Sequence, residues 1–129
     1  MLQDYPKEAL LKDDFTCTLR PMISDDLEGL YRFFVSLPEK DLRYLRDDPT
    51  DRRLVEKWCR QINYDKVLPI LAEHEGRILA NATLHRQTSG WGKHVGEIRV
   101  TIAVEVRQLG LGSRLVEELA SIARAAGLD

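Results

Sequence analysis

The sequence predicts an α/β domain of the α+β kind: a strand, two helices, a three-stranded antiparallel meander, a glycine loop and a long helix. Three observations predict it. From Val95 to Val104 the chain is rich in Val, Ile and Thr, and a period of two puts Ile98, Val100, Ile102 and Val104 on one face of a strand. Next comes Arg107-Gln108-Leu109-Gly110-Leu111-Gly112, where two glycines interrupt the pattern. After them the period changes to that of a helix, Ser113 to Ala126. Leu111, Leu115, Leu119, Ile122, Ala123 and Ala126 recur three or four apart, with Arg114, Glu117, Glu118, Ser121 and Arg124 turned away.

The other elements follow in chain order. Residues 1–14 read as a peripheral extension with a short helical turn from Lys7 to Leu11, and residues 15–129 as a single domain. Phe15 to Arg20 alternates as a strand that Pro21 ends. Ser24 is a candidate N-cap, with Asp25 and Asp26 in the first turn and Leu27, Leu30, Tyr31 and Phe34 as an apolar stripe that Pro38 closes. Such a stripe is more often core than cofactor pocket. Glu39 to Asp51 is a charged connector with a possible helical turn at Leu42 to Leu45, and its simplest reading is a solvated face. A second helix begins near Thr50 or Asp51, because Leu54, Val55, Trp58, Cys59 and Ile62 share its period.

Strands Val67 to Glu75 and Arg77 to Arg86 then flank a hairpin turn at Glu75-Gly76. Pro69 argues for an edge or a bulge near the start of the first of them. Gln87 to His94 connects to the strand described first. Its Trp91, between Gly90 and Gly92, reads as a lid on the core or a substrate contact, the former being preferred.

At 129 residues the chain holds one domain with a real core, and 43% hydrophobic and 31% charged residues are ordinary for a globular protein. A formal charge of −2 gives no electrostatic reason to expect a nucleic-acid or anionic-membrane partner. No apolar run reaches the roughly 18 residues that a membrane-spanning helix needs. Asp4, Glu8, Asp13 and Asp14 do not suit a signal peptide, so a cytoplasmic location is expected. Cys17 and Cys59, without Cys-x-x-Cys spacing, read as buried thiols in a reducing compartment. His74, His85 and His94 are too scattered for a zinc site, and no metal is expected.

A strand that enters a helix through glycines leaves backbone N–H groups unpaired at the positive end of the helix dipole. That favours an anion, and the absence of a Cβ lets a phosphate approach the backbone. The alternative is a turn in which Gly110 and Gly112 only relieve crowding. Two familiar phosphate loops fit poorly: no lysine lies in 107–113 as a Walker loop requires, and Leu115 stands where a dinucleotide fingerprint needs its third glycine.

With this element order around it, the loop resembles the GNAT superfamily of N-acetyltransferases. The family's Arg/Gln-x-x-Gly-x-Gly/Ala signature matches Arg107, Gly110 and Gly112, and the resemblance covers about residues 15 to 127. It implies that acetyl-CoA is the co-substrate. Its pyrophosphate would lie on the backbone of Arg107, Gln108, Leu109, Gly110, Leu111, Gly112 and Ser113, and its pantetheine arm would pair with Ile102, Ala103 and Val104. The reaction implied is attack of a primary amine on the thioester. It needs a base for the ammonium proton and donors for the oxyanion. Glu97 is the carboxylate early on the relevant strand, on the face of Arg99, Thr101 and Ala103; the alternative is a Glu97–Arg99 surface pair. His85 is the second candidate base, against a structural histidine.

The family pattern continues beyond Asp129 with strands that close the cleft and a tyrosine that protonates the thiolate, so the C-terminal part of the fold is expected to be absent here, after a cap by Gly127 and Leu128. The strand Val95 to Val104 would then be an open apolar edge, and a homodimer or other homo-oligomer is expected. The leading function is acetyl transfer to an amine of unknown identity. The alternatives are a non-catalytic acyl-CoA-binding or assembly module and a structural domain that binds no nucleotide.

Overall fold

A computed structural model of the chain describes residues 5–42, 50–62, 64, 67–86 and 96–125. Trp91 and its flanking glycines, His94, the Leu42–Leu45 turn beyond its first residue, and the Gly127 cap lie outside the described residues.

Five strands, β1 (Lys7–Leu10), β2 (Thr16–Pro21), β3 (Val67–His74), β4 (Arg77–Arg86) and β5 (Gly96–Ile102), form one sheet in sequence order, every pair antiparallel. The helices are α1 (Leu27–Val35), α2 (Glu39–Leu42), α3 (Arg52–Arg60) and α4 (Leu111–Ala125). In the β3–β4 hairpin, Glu75 and Gly76 both have positive φ (52° and 81°), the geometry that matches strand twist in a two-residue turn. Asp51 caps α3 by accepting a hydrogen bond from the Arg53 amide at 3.0 Å.

Pro69 lies on an interior strand rather than an edge. Its carbonyl accepts from the Met22 amide, so its nitrogen also faces β2, just past Pro21, where that ladder runs out; no sheet hydrogen bond is lost. The bulge falls later, at Ala72/Glu73. The first helix differs from expectation too. Ser24 opens a 3-10 turn and makes no side-chain cap. Instead the buried Asp26 carboxylate accepts from the Ile23 amide at 2.8 Å and from both Arg20 Nη atoms at 2.8 and 2.7 Å. Burial opposes its ionisation, but Arg20 and the Ile23 amide outweigh that and hold its pKa below the usual range. Pro38 separates α1 from α2 and accepts the first hydrogen bonds of α2, which spans Glu39–Leu42.

The N-terminal segment is part of the sheet, which corrects the expectation of a peripheral helical turn. Ala9 on β1 is fully buried opposite Cys17. Glu118 on α4, read as outward-facing, is 11% exposed and accepts from Tyr5 Oη at 2.8 Å, Lys7 Nζ at 3.0 Å and Arg114 Nε at 3.1 Å. Burial works against its charge, and these three donors overcome it, so its pKa is lowered. A carboxylate with a depressed folded pKa contributes stability above its unfolded pKa and loses it as pH falls through the folded value. Glu118→Gln is therefore expected to cost about 1–3 kcal/mol at pH 7 in urea denaturation. The gap between the proteins should close in strongly acidic solution.

The two faces of the sheet do different work. Alternation sends Ile98, Val100 and Ile102 to the face covered by α4, where Leu111, Leu115 and Leu119 are fully buried. Thr101 and Arg99 point to the other face, beneath α1 and α3. Val104 leaves this pattern: the strand stops at Ile102, and Val104, half exposed, enters a 3-10 turn over Val104–Val106.

Candidate active site

The end of β5 and the start of α4 are built against each other. Ala103 donates its amide to the Leu79 carbonyl at 2.8 Å, so in alternation the Ile102 carbonyl points to the outer edge. Gly110 turns the chain at φ +90°, a conformation that a residue with a Cβ rarely adopts. The first i→i−4 bond of the helix runs from the Arg114 amide to the Gly110 carbonyl at 3.1 Å. The Leu111, Gly112 and Ser113 amides precede it and have no carbonyl of their own helix to donate to. A Cβ on Gly112 would sit 3.0 Å from Ile102 Cδ1, so that glycine lets the helix start settle on the strand end. From the other side the Lys12 amide holds the Leu109 carbonyl at 3.0 Å. Gly112 thus relieves crowding, while Gly110, where a Cβ would meet nothing within 4 Å, supplies the turn's positive φ; together they seat the helix start and its three amides beside the end of β5. The crowding and anion readings of the loop are compatible.

Of the residues expected to hold a coenzyme, Arg107, Gln108 and Ser113 are exposed, Leu109, Gly110 and Gly112 half-buried, and Leu111 contributes a buried side chain and an amide. Arg107 folds back. Its Nε donates to the Ile102 carbonyl at 3.0 Å and its Nη2 to Asp41 Oδ2 of α2 at 2.6 Å. The outward carbonyl that a pairing arm would use is occupied by this side chain. With Val104 outside the strand, the backbone available for such pairing is shorter than Ile102 to Val104.

On the opposite face of the same two strands lies a cavity of about 250 Å³. Asn81, Thr83 and His85 of β4 and Arg99 and Thr101 of β5 form its polar floor, and Phe34 of α1 and Trp58 of α3, ring centroids 5.9 Å apart, cover it. Thr83 Oγ1 and His85 Nε2 are 2.8 Å apart. Asn81 Oδ1 is buried and has no hydrogen-bond partner. Glu97 stands opposite His85 in the ladder, on the cavity's face but outside its described lining. Its carboxylate takes Arg99 Nε at 3.1 Å and Nη2 at 3.3 Å and is 63% exposed, so the Glu97–Arg99 pair does form.

Sequence reasoning passed over Asn81, Thr83 and the cavity-facing role of Trp58. The signal for the first two was in β4: Asn81, Thr83 and His85 alternate with the buried Ala80, Ala82 and Leu84, a polar face on a strand with neighbours on both sides. Such a face needs something to solvate it.

Cys17 and Cys59 are buried free thiols whose pKa values burial raises, which makes them poor nucleophiles. Among the described residues no group of three His, Cys, Asp or Glu side chains is placed to hold a metal, and no helix is long and apolar enough to cross a membrane.

The sequence model of the acetyltransferase (GNAT) family matches residues 27–129. The chain belongs to the GNAT acetyltransferase family. Solved structures agree in fold. The GNAT domain of S. lividans PAT superposes with a TM-score of 0.80 at 21% identity, over 95% of this chain and 73% of that one. A GNAT acetyltransferase from Streptococcus pneumoniae gives 0.69 at 24% identity, over 87% and 69%. A cAMP-binding acyltransferase from Mycobacterium smegmatis gives 0.62 at 20% identity, over 94% of this chain but 36% of its own. At these identities the likeness is one of fold. This GNAT domain shares the family's architecture from β1 through α4.

Proposed function

We propose that this GNAT domain is an acetyl-CoA-dependent N-acetyltransferase. The observation that carries the reading is the placement of two sites on one pair of strands. The amides of Leu111, Gly112 and Ser113 project at the end of β5, and the cavity opens on the other face of β4 and β5. A pyrophosphate at the α4 start would meet oriented N–H groups and the positive end of a 15-residue helix. An amine in the cavity would then attack the thioester carbonyl. A C–N bond forms, the C–S bond breaks, the amine gives up a proton and the departing thiolate takes one. Glu97, at the outer end of the polar stripe and four residues along β5 from Thr101, receives the amine's proton by way of water; His85, inside the cavity, is the competing acceptor. Replacing each with Gln and comparing the pH dependence of kcat/KM assigns the base.

The test of the reading is calorimetric titration of acetyl-CoA, followed by thiol release in the presence of primary amines. Saturable binding with amine-dependent release of CoA supports it, and a chain that binds no acetyl-CoA refutes it.

One observation favours a second reading, a domain that binds acyl-CoA without turnover: Arg107 already holds the Ile102 carbonyl and Asp41. Binding without amine-dependent thiol release identifies that case. In either reading Asp41 competes with the coenzyme for Arg107. Asp41→Asn is therefore expected to tighten acetyl-CoA binding about two- to fivefold in calorimetry, the scale of a part-exposed ion pair.

A further inference from the structure

We infer that Asn81 holds the acceptor amine, and that the acceptor is a compact primary amine with an apolar or aromatic body rather than a polycation. The inference rests on the transferase reading and extends it to the substrate. Asn81 Oδ1 has almost no accessible surface and no donor where it stands, in a side chain that lines the cavity floor, and a turn of the carboxamide about the Cβ–Cγ bond brings it to the cavity. Native proteins seldom leave a buried carbonyl oxygen unpaired, because it has lost water and gained nothing in return. A carboxamide oxygen can only accept, so what completes it must bring an N–H or O–H. The opposing residue in the ladder is Thr101, whose neighbours on β5 lead to the strand end where the thioester would lie. An amine bound at Asn81 is therefore held between the floor and the expected path of the coenzyme.

The walls define the rest of the molecule. Phe34, Trp58, Met22 and Pro69 give a largely apolar surround that suits a flat or branched hydrocarbon body. The volume of about 250 Å³ is below the roughly 300–1,000 Å³ of pockets for drug-sized ligands, which selects a small acceptor. The ionisable groups in the described lining are Arg99 and His85, with no carboxylate. Glu97, the nearest acid in the ladder, is committed to Arg99. Among the described lining residues a second positive charge on the acceptor would meet the Arg99 guanidinium and no carboxylate.

The test uses the full chain, acetyl-CoA, and two probe amines, 2-phenylethylamine and spermidine, with thiol release as readout. The parent is expected to acetylate 2-phenylethylamine with a kcat/KM at least about tenfold above that for spermidine. Asn81→Leu should raise the KM for 2-phenylethylamine about tenfold, the scale of one lost hydrogen bond, with the acetyl-CoA affinity unchanged. Asn81→Asp keeps an oxygen acceptor in place and should keep KM within about threefold. Because Asn81→Leu removes an unpaired buried oxygen, its Tm should equal or exceed the parent's, which a residue with a purely structural role would not allow. Preference for spermidine, an unchanged KM in Asn81→Leu, or a lower Tm or loss of folding in that variant overturns the inference. If the parent binds acetyl-CoA and acetylates neither amine, the substrate class is wrong while the coenzyme site stands. If the parent binds no acetyl-CoA, the transferase reading fails first and takes this inference with it.

Discussion

Ser113→Glu is expected to weaken acetyl-CoA binding by about 30-fold or more while leaving the domain at least as stable as the parent. Ser113 is the third residue of α4, its side chain is exposed, and its amide precedes the first helical hydrogen bond. The first turn of α4 carries no acidic residue. A carboxylate placed there complements the helix dipole and adds about 0.3–1 kcal/mol to stability. Under the proposed function the same charge would face the pyrophosphate. Two unit charges about 4 Å apart at an effective dielectric near 20 repel by about 4 kcal/mol, and screening that halves this still leaves about 30-fold in affinity. Stability and binding thus move in opposite directions, which separates a coenzyme site from a crowded turn. Gly112→Glu is less informative, because its side chain would begin 3.0 Å from Ile102 and disturb packing as well as charge. Calorimetry and thermal denaturation on the same sample check both halves, and Ser113→Lys should reverse both signs.

Leu115→Ala is expected to destabilise the domain by about 2–5 kcal/mol. Leu115 is fully buried, one turn from the equally buried Leu111 and Leu119, on the face of α4 that packs against β4 and β5. The loss combines the transfer of the removed carbons with the void they leave, and against a total of about 5–15 kcal/mol it is a large share. Tm should fall by roughly 10 °C or more. Val116 is one residue away but 43% exposed, and Val116→Ala should change stability by no more than about 0.5 kcal/mol. A similar cost for both would mean that α4 is not seated as described. The consequence reaches the site, since the same packing fixes where the Leu111, Gly112 and Ser113 amides point.

The parts of this fold that are legible in sequence are those whose signals are local. The change from period two to period 3.6 across Gly110 and Gly112, the Glu75-Gly76 turn and the start of the second helix beside Asp51 all appear at their expected places, because each depends on a few neighbouring residues. What escapes is set by partners far along the chain. Lys7-Glu8-Ala9-Leu10 consists of good helix formers, yet it is a strand, because pairing with β2 and burial of Ala9 outweigh a weak intrinsic preference. Glu118 reads as solvent-facing by helical period, and only Tyr5 and Lys7, more than a hundred residues earlier, bring it under cover.

The site divides in the same way. The glycine loop and its amides are visible in six residues. The Arg107–Asp41 contact joins residues 66 apart, and the cavity gathers α1, α3, β4 and β5, so no single stretch announces either. Glu97 and Arg99, two apart on one strand face, are near enough in sequence for their pairing to be foreseen.

The central claim is that the start of α4 receives the coenzyme's pyrophosphate, and amide chemical shifts test it most directly. In a titration of acetyl-CoA into the ¹⁵N-labelled chain, the Leu111, Gly112 and Ser113 amides should show the largest, saturable shifts, with Arg107 and Ile102 following as the guanidinium is drawn from Asp41. Shifts centred elsewhere, or none at saturating coenzyme, would contradict it.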